Sequence, residues 1–305
     1  PLLAHNPLLD RVYLWEPESW LILQRQKFDV VMNVDKSLRS GAFAMSLNAH
    51  EKLGFGTNEN GVIIPLNPEA EENYRLGLDD HFKFHVNQKT VPQLQCEEFR
   101  LTWARDEYML NLTGEEKEFC RQYREENGIG VDEVVVGFNT GCSELYPNKK
   151  LTVEQHVTLI ERLRNEPGIR LALLGGPEDT LRNAEIMRRT GGEAVLSTPT
   201  HEGLRRGICY ENVCDVVVTG DSFGMHLAIG LKKFVIAWFG LSCWTEIDLF
   251  DRGIKLFNPE LPCSPCWKKD CPFNLECIQL VDLDRIVAGV LSFRDTLIPA
   301  RESSG

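Results

Sequence analysis

Residues 216–240 read VVVTGDSFGMHLAIGLKKFVIAWFG, and this stretch limits the fold more than any other. Val216, Val217 and Val218 form a β-branched run of the kind buried on both faces of a parallel sheet. The run stops at Thr219-Gly220-Asp221-Ser222, and a helical pattern follows with Met225, Leu227, Ala228 and Ile229 as its apolar positions. Asp221 or Ser222 is placed to cap that helix, because a short oxygen-bearing side chain accepts from the first free N–H groups. A second strand is predicted at 234–238. Strand, tight polar turn, helix and strand make a βαβ unit, and a helix N-terminus at the carboxyl edge of such a sheet suits an anion. Any doubly wound sheet has turns of this kind, so the turn alone does not define a phosphate site.

The rest of the second half repeats the pattern. Strands are predicted at 133–138, 170–174, 194–197, 215–219 and 254–257, with helices at 152–165, 178–189, 202–207, 222–230, 243–250 and 282–293. Alternating β and α at this spacing means a parallel sheet covered by helices on both faces. Ligands of such sheets bind at the carboxyl ends of the strands. The first half is less regular. The pattern there predicts the end of a helix and a turn over 1–9, a strand at 11–15, a helix at 19–26, a strand at 28–34, a helical stretch to about residue 49 and a strand near Gly54-Phe55. Residues 69–112 are mixed and charged, and a helix at 113–127 opens with Thr113 and Glu116 as a capping box. Gly128-Ile129-Gly130 reads as a linker, which divides the chain into an N-terminal domain at 1–128 and a C-terminal domain at 129–305.

Composition excludes some functions. At 305 residues, with 43% hydrophobic and 26% charged residues, the chain has ordinary globular composition. No apolar run reaches membrane-spanning length, and no basic amphipathic helix argues for a membrane surface. A net charge of −12 argues against a general nucleic-acid binder while permitting a local basic pocket. Asn111-Leu112-Thr113 matches a glycosylation acceptor by composition alone.

Four predicted strand ends carry residues with chemical potential. The first is Asn139-Thr140-Gly141, with Lys149-Lys150 shortly after; small residues let backbone N–H groups approach a phosphate, and a lysine adds a point charge. The second is Gly175-Gly176-Pro177-Glu178, where the carboxylate either accepts from ribose hydroxyls or complements a helix dipole. The third holds Asp221, Ser222, Gly224 and His226, the last placed on the helix face of Ser222. The fourth is Phe239-Gly240-Leu241-Ser242. Each has a bland reading as a surface turn; their arrival at successive ends of one sheet is the stronger observation.

Together these motifs resemble those of the heptosyltransferase-like glycosyltransferases, family 9, which take a sugar from a nucleotide-sugar. Asn139-Thr140-Gly141 is similar to the family's Asn-Pro-Gly turn, and Lys149-Lys150-Leu151-Thr152 to its Lys-Arg-Trp-Pro stretch, with Leu and Thr replacing the last two residues. Leu174-Gly175-Gly176-Pro177-Glu178 matches closely. Asp221-Ser222 with Gly224 and His226 resembles the Asp-Thr-Gly-Pro-x-His turn, with Phe223-Gly224 in place of Gly-Pro. In the first half, Asn6-Pro7-Leu8-Leu9-Asp10-Arg11-Val12 resembles the family's Asn-Pro-Tyr-Ile-Asp-Arg-Val.

The resemblance implies a GT-B fold of two Rossmann-like domains and inverting, metal-independent transfer of a heptose-like sugar from a nucleoside-diphosphate sugar. ADP-heptose is the implied donor and a saccharide or lipopolysaccharide-core acceptor the implied partner, at the cytoplasmic face of the inner membrane. Lys149 would contact the diphosphate, Glu178 the ribose, and backbone N–H groups at Asp221, Ser222 and Gly224 the phosphate oxygens, with Asn139, Thr140, Gly141 and His226 completing the donor side. Asp35, Lys36 and Arg39 would face the acceptor. The family's catalytic base is expected upstream of Pro1, on a strand–helix–strand of roughly 50 residues. A chain beginning at Pro1 is therefore expected to transfer weakly or not at all. Two other readings stay open: a nucleotide-sugar epimerase, and a non-catalytic nucleotide- or metal-binding module.

Ten cysteines remain to be placed, six of them scattered: Cys96, Cys120, Cys142, Cys209, Cys214 and Cys243, read as reduced thiols. The other four, Cys263, Cys266, Cys271 and Cys277, form C-x2-C-x4-C-x5-C. A thiolate quartet suits Zn²⁺ or an iron–sulfur cluster. Disulfides and a loop of free thiols are the competing readings, and the spacing fits no standard zinc ribbon. Transfer itself requires no cofactor under any of them. Metal analysis of protein purified without oxygen separates these readings; absence of both zinc and iron excludes the metal.

Overall fold

The β-branched runs of the second half pair as parallel strands in one six-stranded sheet. The computed structural model describes residues 1–192 and 195–302. It divides into two compact units. The smaller comprises Pro7–Asp106 and Thr245–Asp248; the larger comprises Pro1–Asn6, Glu107–Trp244 and the chain from Leu249 onward.

The smaller unit contains α1 (Pro17–Arg25), β1 (Lys27–Asn33), α2 (Leu38–Ser46), β2 (Asn48–Thr57), β3 (Ile63–Pro65), α3 (Glu71–Arg75) and α4 (Val91–Glu98). β1 and β2 are parallel, joined by α2 as a βαβ unit, and β3 adds antiparallel to β2. α2 starts where Ser37 accepts from the Ser40 N–H at 3.2 Å. The strand predicted at 11–15 is absent. Trp15 instead packs edge-on against Trp20 and Phe43, at 5.4 and 5.3 Å between ring centroids, so aromatic packing holds this segment on helices rather than in a ladder.

The larger unit opens with α5 (Gly114–Glu126), and then carries β4 (Val134–Asn139), α6 (Val153–Leu163), β5 (Ile169–Leu174), α7 (Thr180–Thr190) and β6 (Val195–Ser197). α8 (Leu204–Val213), β7 (Val216–Gly220), α9 (Phe223–Gly230), β8 (Phe234–Trp238), β9 (Gly253–Leu256), α10 (Glu276–Gln279) and α11 (Leu283–Glu302) follow. Residue 194, where a strand was expected to begin, lies outside the described residues. The strand order is β6-β5-β4-β7-β8-β9, and all five pairings are parallel. The order reverses between β4 and β7, whose register sets Phe138 opposite Val218. Such a reversal leaves a crevice at the carboxyl edge. Every residue of β4 is buried, and Phe138, Leu173, Val218, Ile236 and Trp238 share one core with Ile286 and Val290 of α11. Each such side chain contributes about 1.5–3 kcal/mol by leaving water.

Two expectations are corrected here. The spatial division falls at Glu107 rather than at residue 128, because α5 packs on α8. Phe119 and Tyr123 meet Tyr210 at 5.6 and 5.1 Å, and Arg205 Nε donates to Glu116 Oε1 at 2.7 Å. Thr113 and Glu116 do form the expected capping box. The helix expected at 243–250 is absent. The Glu246 carbonyl accepts from the Val91 N–H at 2.8 Å, and Asp248 takes both ends of the Arg105 guanidinium at 2.8 and 2.9 Å. These bonds within the smaller unit replace the i→i+4 bonds of a helix.

His156 on α6 is wholly inside the larger unit. Its Nδ1–H donates to the Thr152 carbonyl at 2.9 Å, while Nε2 has no partner among the described residues. Burial holds its imidazole down at about 4 from an ordinary 6.5. The unfolded chain therefore takes up this proton below pH 6.5 while the folded chain resists it until about 4, so stability present above 6.5 is lost on acidification. The loss amounts to about 3 kcal/mol across that window. The Glu116 carboxylate, pulled down to about 2 first of all by its bond from Arg205, acts lower, between 4.5 and about 2. Urea unfolding of His156→Leu as a function of pH should show a flatter slope between pH 6.5 and 4.5 than the parent.

Candidate functional site

Three strand ends converge at the reversal. Asn139 closes β4, and its Nδ2 donates to Thr219 Oγ1 at 3.0 Å and to Ser222 Oγ at 2.8 Å. The side-chain amide thus ties β4 to the turn after β7. Ser222 is the N-cap of α9, as expected by position, yet its side chain makes no capping bond. Its hydroxyl is turned toward Asn139 and Thr219, which leaves the helix start without a side-chain cap. The uncapped N–H groups and the positive end of the dipole make that start attractive to an anion.

Gly224 is required by this arrangement, since a Cβ there would lie 2.4 Å from Asn139 Nδ2. Lys149 ends a short helical turn, Pro147–Lys149, and its Nζ donates to Asp221 Oδ2 at 2.6 Å with both side chains largely buried. Trp238 Nε1 holds the Lys149 carbonyl at 2.8 Å. The ammonium also sits 4.5 Å from the Trp267 ring and 5.7 Å from that of Tyr146. Aromatic faces and one carboxylate therefore fix the ammonium beside the α9 turn.

A cavity of about 350 Å³ opens here, lined by Asn139, Gly175, Gly176, Phe223 and Gly224 together with residues 198–201, Gly203 and α8. It is large enough for a nucleoside-sized ligand.

The structure brings Asn139, Lys149, Asp221, Ser222 and Gly224 together. Thr140 is buried, its hydroxyl 2.5 Å from Asn183 Oδ1, and supports the turn from within. Gly141 lies against Asp179, whose Oδ2 would be 2.0 Å from a Cβ at that position. His226 stacks on Tyr108 at 5.9 Å; burial lowers its pKa, which the Asp221 charge opposes and that of Lys149 reinforces. Glu178 is exposed and is not among the lining residues of the cavity. Its neighbour Asp179 is the buried one, accepting from the Gly176 N–H at 2.9 Å. A carboxylate three residues after a turn glycine is a capping pattern that was readable in the sequence.

Asp35, Lys36 and Arg39 belong to the smaller unit. Asp35 Oδ1 accepts from the Ser37 N–H at 2.8 Å, Lys36 Nζ donates to Asn73 Oδ1 at 2.7 Å, and Arg39 lies over the rings of Trp15 and Trp20 at 4.9 and 5.7 Å. Each is thus engaged locally.

All ten cysteines are free thiols, with Cys120, Cys209, Cys214 and Cys243 buried. In the cysteine-rich loop, burial, together with the neighbouring Cys266, Cys263 and Cys271, raises the Cys277 thiol to about 11. The four thiols are close enough to feel one another. Even so, among the described residues no group of three or more His, Cys, Asp or Glu side chains is arranged to hold a metal ion. The loop does dock beside Lys149: Ser264 Oγ donates to the Gly240 carbonyl at 2.6 Å, and Asn148 Nδ2 donates to the Lys269 carbonyl at 2.7 Å.

A parallel sheet with covering helices, a reversal crevice and an open helix start defines an α/β protein with the fold of the GT-B transferases. The chain belongs to glycosyltransferase family 9 (heptosyltransferase), whose family model matches residues 20–276. Its fold is similar to that of a family 9 glycosyl transferase from Veillonella parvula, with a TM-score of 0.66 at 14% identity over 90% of this chain and 76% of that one. It is also similar to E. coli ADP-heptose lps heptosyltransferase II, with a TM-score of 0.59 at 15% identity over 92% and 80%. E. coli heptosyltransferase WaaC with ADP gives a TM-score of 0.52 at 16% identity over 78% and 69%. In sequence, lipooligosaccharide heptosyltransferase 2 of Campylobacter jejuni is 30% identical over 76 residues, and that match spans 24% of either chain. Among the described residues, no helix is long and apolar enough to cross a membrane.

Gly224→Ala tests the packing at the turn. The added methyl must displace the Asn139 amide, and overpacking of this kind costs about 1–3 kcal/mol. Urea unfolding should register that loss with unchanged far-ultraviolet circular dichroism of the folded protein.

Proposed function

We propose that this chain is a glycosyltransferase that moves a heptose-like sugar from ADP-heptose to a saccharide or lipopolysaccharide-core acceptor. Family membership supports the reaction class. The observation that carries the donor side is the convergence of Asn139, Lys149 and the uncapped start of α9 beside one cavity. The E. coli relatives, described as an ADP-heptose heptosyltransferase and as a heptosyltransferase with ADP, support ADP as the nucleotide.

The chemistry follows from charge. As the glycosidic bond breaks, the leaving diphosphate gains negative charge. The N–H groups at the start of α9 and the Lys149 ammonium are oriented beforehand and stabilise that charge without reorganising. On this reading the diphosphate competes with Asp221 for the ammonium, and Asp221 orients the lysine before the ligand arrives. Transfer is inverting and metal-independent: a cationic side chain and a helix dipole serve where other transferases use a divalent ion. The proton of the acceptor hydroxyl goes to a general base, for which no residue of this chain is assigned.

Calorimetric titration with ADP, UDP and GDP is the direct test. ADP should bind selectively, and Lys149→Ala should weaken it about 10–100-fold, the value of a charge-assisted hydrogen bond. Equal binding of all three nucleotides, or none, would sink the donor assignment. Conversion of ADP-heptose without any acceptor would replace transfer by epimerisation.

A further inference from the structure

The start of α9 carries an aromatic side chain that the phosphate chemistry does not use. Phe223 is the first residue of that helix and lines the donor cavity, with half of its surface open. Leu227, one turn further on, lines the same cavity. Residues four apart share one face of a helix, so the face of α9 that bears the Phe223 side chain is the face turned to the cavity. Helical side chains also lean toward the N-terminus, and at the first position no earlier turn lies beneath them. The ring therefore stands beside the open N–H groups of the helix start.

This ring is not otherwise employed. It belongs neither to the core of the larger unit nor to the side chains packed against that core. Among the described residues it meets no other ring and no cation. The other rings of the cavity wall are engaged. Tyr210 packs edge-on against Phe119 and Tyr123 and donates its hydroxyl to Glu202 at 2.6 Å, and His201 Nε2 lies 3.0 Å from the Thr180 hydroxyl. The wall hydroxyls are engaged as well: Thr198 donates to the Leu173 carbonyl at 2.8 Å, and Thr200 is 2.6 Å from the Thr180 hydroxyl. Much of the remaining wall is glycine, proline and leucine. A cavity built this way favours a flat ligand that covers the open ring over one that needs many hydrogen bonds.

We infer that Phe223 is the platform on which the nucleobase of the donor stacks, and that it favours a purine over a pyrimidine. The inference rests on the ADP reading above and deepens it. With the diphosphate at the start of α9, one ribose separates the nearer phosphate from the base, and the same residue that offers a backbone N–H to the phosphate offers its ring to the base. Two fused rings overlap a phenyl face more fully than one, so the stack separates ADP from UDP. It does not separate adenine from guanine, whose stacking faces are alike. At this position the family motif has glycine, so the platform is a feature of this chain's own turn.

Calorimetry with ADP, UDP and inorganic pyrophosphate on the protein, Phe223→Ala, Phe223→Leu and Phe223→Trp is the test. Phe223→Ala should bind ADP about tenfold more weakly, the value of one base–aromatic stack, and should narrow the preference for ADP over UDP. Phe223→Leu, which keeps apolar bulk without a π face, should fall nearly as far, and Phe223→Trp should restore ADP binding. Pyrophosphate, which has no base, should bind all four proteins alike. Unchanged ADP binding in the alanine variant overturns the inference, as does full ADP binding in the leucine variant. Equal weakening of ADP and pyrophosphate also overturns it, since the ring would then act on the helix start. In each of these cases Lys149-dependent binding of pyrophosphate leaves the donor site standing, and only the base platform falls. Absence of any nucleotide or pyrophosphate binding by the parent removes both.

Discussion

The bonds from the Asn139 amide to Thr219 and Ser222 are what the site depends on. They cross between two adjacent parallel strands whose register places Phe138 opposite Val218, so the amide arrives at the turn by backbone geometry rather than by a flexible reach. Because the Ser222 hydroxyl is drawn sideways into this tie, it cannot cap its own helix. A strand-to-strand hydrogen bond thus decides that a helix start stays open. Gly224 and Gly141 accommodate the close approach of Asn139 and Asp179, and Trp238 fixes the backbone of Lys149 from the neighbouring strand. Under the proposed function, binding and folding would use the same few contacts, as expected where rigid strand ends carry the functional groups.

The cysteine-rich loop packs against this frame. Trp267, between Cys266 and Cys271, lies under the Lys149 ammonium, and the loop is pinned to Gly240 and Leu241 by hydrogen bonds from Ser264, Cys266 and Trp267. Among the described residues its thiols are close to one another without forming a ready ligand set. The described contacts make this loop a wall of the lysine's pocket, a role its spacing pattern alone does not reveal.

Much of the larger unit was legible because its parallel strands are short, mostly apolar runs, most of them followed by a turn and a helix. That signal is local, and six strands were found within a residue or two. What failed depended on distant partners. Residues 243–250 have helical composition, but Glu246 and Asp248 bond to Val91 and Arg105, which no local pattern encodes. Residues 11–15 alternate like a strand and instead serve an aromatic cluster with Trp20 and Phe43. At the site, Asn139, Lys149 and Asp221 were readable as strand-end residues. The choice between Glu178 and Asp179 turned on which carboxylate is buried.

The Lys149–Asp221 pair has a consequence for kinetics. The chain carries a net charge of −12, and the Lys149 ammonium beside the open helix start is already paired with the Asp221 carboxylate. A doubly ionised ligand approaching from solution therefore meets little long-range attraction, and electrostatic steering contributes little to its arrival. Under the proposed donor reading, the favourable terms switch on only at contact, when the ammonium exchanges one anion for another and the helix dipole is engaged. Preference among ligands is then written in how long each one stays, so residence time rather than encounter frequency carries the selectivity.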